Sequence, residues 1–280
     1  MRFQKPVGTL LLLWPTLAAL WAASEGLPPW TLVIVFSLGA CFMRAAGCVI
    51  NDYADRDFDG AVARTNQRPL ATGEITGKQA LICFAILIIL AASLLFFLND
   101  FTRLLAIGGV FIAIAYPFMK RWTHLPQLVL GIAFSWGIVM AFASVRETIP
   151  ASGWIMFVAS FVWITAYDTI YAMVDRQDDL KVGIKSTAIL FGSADKIIIA
   201  ILQLLFLLLL LLLGVTLDYG WAYHIGLGIA ASCLIYQQWL IRKRQPMMCF
   251  QAFANNVWVG FAIFSGIVLE TSSFDWLHSF

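Results

Sequence analysis

Apolar stretches long enough to cross a bilayer recur along nearly the whole chain, near residues 7–23, 31–50, 80–98, 104–119, 127–145, 151–174, 197–217, 220–241 and 252–269. A membrane-spanning helix needs roughly 17–25 residues. These runs therefore predict an all-α membrane protein, with nine transmembrane helices around a central cavity. The run at 104–119 is short, and its place rests also on spacing and charge bias. The stretch 201–213 is almost entirely Leu and reads as lipid-facing. Only 12% of the 280 residues are charged, against about a quarter in soluble domains. The net charge of +2 gives no reason to expect a nucleic-acid partner. The whole of 1–280 reads as one integral-membrane domain in the lipid bilayer, with polar cytoplasmic segments at 51–79 and 175–196. Five cysteines, an odd number without a CxxC pair, fall in or beside apolar runs. They read as packing thiols. The first run imitates a signal peptide, but Pro15 and the bulky Trp14 and Trp21 argue against cleavage.

Lys and Arg set the orientation, because cytoplasmic loops carry the excess. With the N-terminus cytoplasmic, 15 of the 18 fall inside, Arg103 and Arg146 fall outside, and Arg44 lies within a span. Trp30, Trp122, Trp154, Trp221 and Trp276 stand near run ends, as an interfacial aromatic belt requires.

Where the second run ends, the sequence turns acidic: Asn51-Asp52-Tyr53-Ala54-Asp55-Arg56-Asp57-Phe58-Asp59. Asn51, Asp55 and Asp59 are four apart and share one helix face, with Asp52 beside them. Carboxylates crowded on one face repel each other unless a cation lies between them. Mg2+ takes oxygen ligands, commonly one or two carboxylates together with substrate phosphates, so the stretch reads as a Mg2+-diphosphate site. A solvated acidic face, a cation pathway and an EF-hand are the competing readings. The EF-hand fails where its closing Glu is required, because position 66 is Asn66.

A second cluster follows the sixth span. Asp175 and Asp179 are four apart, and Asp168 lies two turns deeper on the same face. Four spans separate the clusters, so both end on the cytoplasmic side. Spans 1–4 and 5–8 then form a topological pseudo-repeat around one cavity. The candidate metal ligands are Asn51, Asp52, Asp55, Asp59, Asp175 and Asp179. Candidate cationic partners of a diphosphate are Arg64, Arg68, Lys120, Arg121 and Lys185, each of which also serves the positive-inside bias. Arg44 lies two turns inside the membrane on the face of Asn51. It reads either as an ion pair with Asp168 or as the receiver of a substrate carboxylate, which a guanidinium fork matches bidentately. Tyr116 and Tyr171 are placed to orient substrate or to pack at the interface.

At these residues the chain resembles the UbiA superfamily of intramembrane aromatic prenyltransferases. Asn51-Asp52-x-x-Asp55-x-x-x-Asp59 is similar to its first Asp-rich motif and Asp175-x-x-x-Asp179 to its second. Leu12–Leu17, Met43–Cys48, Tyr116–Arg121, Tyr171–Asp175 and Gly183–Ala188 resemble the branch that prenylates 4-hydroxybenzoate in ubiquinone synthesis. The resemblance implies nine helices, Mg2+ as cofactor, a bacterial inner-membrane location and a lateral opening for a lipid tail. It implies that Asp55, Asp59, Asp175 and Asp179 carry the catalytic Mg2+-diphosphate, with Arg44 or Arg121 meeting the aromatic acid. The implied substrates are a polyprenyl diphosphate and 4-hydroxybenzoate. A sister enzyme with another aromatic acceptor remains an alternative, as does a cation-coupled transporter. A transporter, however, places its site near the midplane rather than at one face.

Overall fold

The computed structural model describes residues 6–59 and 65–277. The long helices are α1 (Val7–Ser24), α2 (Trp30–Asp59), α3 (Gly77–Ser93), α4 (Asp100–Trp122), α5 (Pro126–Arg146) and α6 (Ala151–Val182), followed by a short α7 (Thr187–Phe191) and then α8 (Asp195–Thr216), α9 (Trp221–Ile241) and α10 (Pro246–Leu277). Among the described residues, eight of the nine long helices combine the length and apolarity needed to cross a membrane. The exception is α9, which has 21 residues and carries Gln237 and Gln238 among its apolar positions.

Local chemistry sets the boundaries. Pro126 opens α5, and Pro6 and Pro150 flank the starts of α1 and α6, where a missing N–H costs nothing. Thr76 and Gln79 form a reciprocal capping box at α3, satisfying two otherwise orphaned donors. Asn99 caps α4 by accepting from the Thr102 N–H at 2.8 Å. Gly183 ends α6 in the left-handed conformation at φ 73°, which glycine adopts without steric cost. Residues 55–59 are helical, which removes the EF-hand reading, since that motif needs a loop there.

The main core joins α1, α5, α6, α8, α9 and α10. Leu20, Ile138, Phe142, Ile164, Tyr167, Leu213, Tyr223 and Ile267 are among its fully buried residues. Apolar side chains gain little from meeting each other rather than lipid, so close packing and interhelical hydrogen bonds hold membrane helices together. Both devices appear. Gly226 lies so near α10 that a Cβ there would stand 2.6 Å from the Ala262 carbonyl oxygen. Gln203 donates to Gln237 at 2.9 Å, Gln238 donates to Gln203 at 2.8 Å, and Gln237 donates to Asn255 at 3.0 Å. These amides explain the polar positions of α9: they face α8 and α10. The Leu-rich stretch of α8 is accordingly two-faced. Leu204, Leu205, Leu208, Leu211 and Leu212 are exposed, while Gln203, Phe206, Leu210 and Leu213 are buried. The five cysteines are free thiols, and Trp30, Trp122, Trp154 and Trp221 are exposed at helix ends.

Between α2 and α6 stand α1 and α5, which pack against both. Among the described residues the two motif-bearing helices share no extended packing of their own. Deeper in the bundle, Trp14, Ile138, Met156, Ser160, Trp163 and Phe206 line an apolar cavity of about 30 Å³.

Candidate active site

Both α2 and α6 are long, at 30 and 32 residues. A span uses about 20, so each runs on past the hydrocarbon region and carries its acidic residues on the extension. Asp55 is 5% exposed, while Asn51, Asp52, Asp175 and Asp179 are half-buried. Asp52 pairs with Arg68 at 3.0 Å, and both side chains are largely shielded. The loop carrying Arg68 is itself wound into a turn, with the Thr72 N–H donating to the Arg68 carbonyl at 2.9 Å.

Two contacts tie the motif-bearing ends together. Arg121, at the end of α4, donates to the Ala54 carbonyl of α2. Lys185, in the segment after α6, donates to the Trp122 carbonyl at 3.3 Å. Arg68, Arg121 and Lys185, expected near the acidic motifs, therefore do gather there. The side chains of Asp57, Asp59 and Lys120, and all of Arg64, lie outside the described residues.

Beneath this layer lies a second polar group. Tyr116 is within electrostatic reach of Asp168, Arg44, Asp55 and Tyr171, and Asp168 is within reach of Arg44 and Asp175. The chain thus brings together the four deeper residues singled out from the sequence, Arg44, Tyr116, Asp168 and Tyr171. A direct Arg44–Asp168 ion pair, one of the two readings of Arg44, is absent among the described residues. The reason is packing: the Arg44 guanidinium is turned onto α1 and α5. A Cβ on Gly8 would stand 2.8 Å from Arg44 Cζ, so the bare glycine backbone makes the space. Arg44 Cζ lies 5.9 Å from the centre of the Phe134 ring. Tyr171 is seated against Phe253, ring centres 4.6 Å apart.

Sequence reasoning missed Gly8 and Phe134, which meet this group only across helices, and Tyr167, which stands beside Asp168 on α6. It also missed Asp195. That carboxylate is fully buried and accepts from Arg176 and Arg244, both at 2.7 Å. Together they pin the end of α6 to the start of α8.

The donor set fits a hard divalent cation, since every candidate ligand offers a carboxylate or amide oxygen. Among the described residues no three acidic, His or Cys side chains converge on one point.

Residues 12–264 match the family model described as the UbiA prenyltransferase family. The chain belongs to this family. Among curated UbiA relatives, the "4-hydroxybenzoate octaprenyltransferase" of Tolumonas auensis is 55% identical over 268 residues, 96% of this chain and 94% of its own. The protein of the same name from Pseudomonas aeruginosa (strain PAO1) is 53% identical over 96% of this chain and 91% of its own. Solved UbiA structures share the fold. The apo UbiA homolog from Aeropyrum pernix K1 superposes with a TM-score of 0.83 at 22% identity, over 96% of this chain and 98% of that one. A UbiA homolog from Archaeoglobus fulgidus bound to GPP and Mg2+ gives 0.69 at 19% identity, over 94% and 98%.

Proposed function

We propose that this chain transfers a polyprenyl group from an allylic polyprenyl diphosphate to 4-hydroxybenzoate, at the ring carbon ortho to the hydroxyl, releasing diphosphate in ubiquinone biosynthesis. The observation that carries the reading is relative depth along α2 and α6: Arg44 lies about two turns before Asn51 and Asp168 two turns before Asp175, so Arg44, Tyr116, Asp168 and Tyr171 sit one layer deeper than the carboxylates of the two motifs. Relatives bearing that activity in their name, more than half identical over 96% of the chain, support the choice of substrates.

Asn51, Asp52, Asp55 and Asp59 from α2, with Asp175 and Asp179 from α6, would hold Mg2+. The bound ion would supply positive charge that stabilises the departing diphosphate. Arg68, Arg121 and Lys185 add cationic groups at the same end, and by sequence Arg64 and Lys120 are further candidates. The donor's C–O bond breaks, its electrons leave with diphosphate, and an allylic cation remains. Apolar walls keep water from quenching it. The phenol oxygen activates its ortho carbon, which forms the new C–C bond and then loses its proton to diphosphate or a carboxylate. Arg44 receives the acceptor's carboxylate, while Tyr116 and Tyr171 orient the ring. The protein's task is mainly positional and electrostatic.

Arg44→Lys keeps the charge and loses the fork. A charge-assisted hydrogen bond is worth roughly 1.5–3 kcal/mol. The KM for 4-hydroxybenzoate is therefore expected to rise about tenfold to a hundredfold, with little change for the polyprenyl donor. The mutant is also expected to discriminate less between 4-hydroxybenzoate and its amide. Kinetics of acid and amide in detergent test this, and an unchanged preference would move the acceptor role to Arg121. Identification by mass of a 3-polyprenyl product, formed from both substrates and Mg2+, tests the activity itself.

The reading places the protein in the bacterial inner membrane with the site open to the cytoplasm. Cysteines introduced at 99, 146 and 218 in a cysteine-free background are expected to react with an impermeant reagent from the periplasm. Those at 57, 121 and 244 are expected to react only once the cytoplasmic side is opened. Periplasmic labelling at 57 would reverse the orientation.

A further inference from the structure

Tyr167 is 2% exposed, and its hydroxyl makes no hydrogen bond. Leaving a buried donor unsatisfied is costly, and such a group calls for an explanation. The ring is fixed in place. It meets Trp163 edge-on at 5.3 Å and Phe253 at 5.8 Å. Asp168 is its neighbour in sequence, yet successive residues point about 100° apart on a helix, and the hydroxyl is not spent on that carboxylate. Tyr167 stands beside Asp168 and one turn before Tyr171 on α6, and Tyr116 packs against the same buried cluster, so it belongs to the layer where the acceptor is placed. Two other buried polar groups lack this setting. Trp14 and Ser160, also without a hydrogen bond, border a cavity lined by no ionisable group.

We propose that the Tyr167 hydroxyl donates a hydrogen bond to the carboxylate of the aromatic acceptor, alongside the Arg44 guanidinium. The inference rests on Arg44 meeting that carboxylate. An ionised carboxylate offers about four lone-pair sites, and a guanidinium fork fills two of them. A neutral O–H is suited to a third. A second cation here would pair with Asp168 and compete with substrate, whereas a phenol adds a donor without adding charge.

Tyr167→Phe removes one oxygen and keeps the ring against Trp163 and Phe253. The KM for 4-hydroxybenzoate is expected to rise about tenfold, while the KM for the polyprenyl donor stays within twofold. Preference for the acid over its amide is expected to fall. The melting temperature in detergent is expected to hold or rise, because an unsatisfied buried donor has gone. A merely structural tyrosine gives an unchanged KM for 4-hydroxybenzoate, and that result overturns the proposal whether or not stability changes. Arg44→Lys is measured in parallel. If it keeps the acid-over-amide preference, the acceptor site itself is misplaced. If it loses that preference and Tyr167→Phe does not, only the role of Tyr167 fails.

Discussion

Asp55→Asn and Asp175→Asn are each expected to lower the rate of diphosphate release by about a hundredfold to a thousandfold at saturating Mg2+, the scale seen when one preorganised electrostatic group is removed. Asparagine keeps the shape and one oxygen but removes the charge, so the helix packing around Asp55, which is 5% exposed, has little reason to change. The two residues come from different helices, α2 and α6, that share no extended packing among the described residues. A metal-diphosphate unit bound between them would link their effects. The double mutant is therefore the sharper measurement. If both carboxylates serve one metal-diphosphate unit, losing both costs about as much as losing either, because groups that act together are not additive. Multiplying losses would point to two independent sites. Single mutants that kept most of the wild-type rate, with an unaltered size-exclusion profile, would end the clamp reading.

The sequence made legible what depends on one helix at a time. Apolar run length gave the spans, and four-residue spacing put Asn51, Asp55 and Asp59, or Asp175 and Asp179, on common faces. Lys and Arg asymmetry suggested that both motifs share an end, and the contacts of Arg121 with Ala54 and of Lys185 with Trp122 now hold those ends together. What spacing could not give was distance across helices. Arg44 and Asp168 looked like an ion pair because each lies two turns inside its motif. Where the guanidinium turns depends on Gly8 and Phe134, residues 36 and 90 positions from Arg44 in the chain. Polar residues in α9 weakened its apolar signal, yet their hydrogen bonds to α8 and α10 are part of what holds it. In the sequence Arg176 and Arg244 are just two of the 15 Lys and Arg residues assigned to the cytoplasmic side. Their shared partner Asp195, at the start of an apolar run, had no spacing signal of its own.

That partner carries the largest expected effect on stability. Asp195 is fully buried, while the Arg176 and Arg244 side chains are 21% and 34% exposed. Arg244 holds Asp195 through Nη2 at 2.7 Å and Nε at 3.0 Å, and also donates to the Ser193 carbonyl at 2.8 Å. Its backbone is left-handed, at φ 52°, a conformation costing a non-glycine residue roughly 1–2 kcal/mol. The hydrogen bonds offset that cost, and the carboxylate beside it holds the guanidinium above its ordinary range. Asp195 also accepts from the Lys196 N–H at 2.6 Å, a favourable place for an anion at a helix N-terminus. Asp195→Ala leaves two guanidiniums facing each other with nothing between them. Breaking a buried pair costs about 3–5 kcal/mol. Because both arginines keep some solvent, about 3 kcal/mol is expected, seen as a clear fall in melting temperature in detergent. Asp100→Ala is the control. It removes the same kind of contact, to Arg103 at 2.7 Å, but with side chains 94% and 44% exposed, where a pair is worth under about 1 kcal/mol. If the two mutants melted alike, burial would not be what gives Asp195 its weight, and the fastening of α6 to α8 would lie elsewhere.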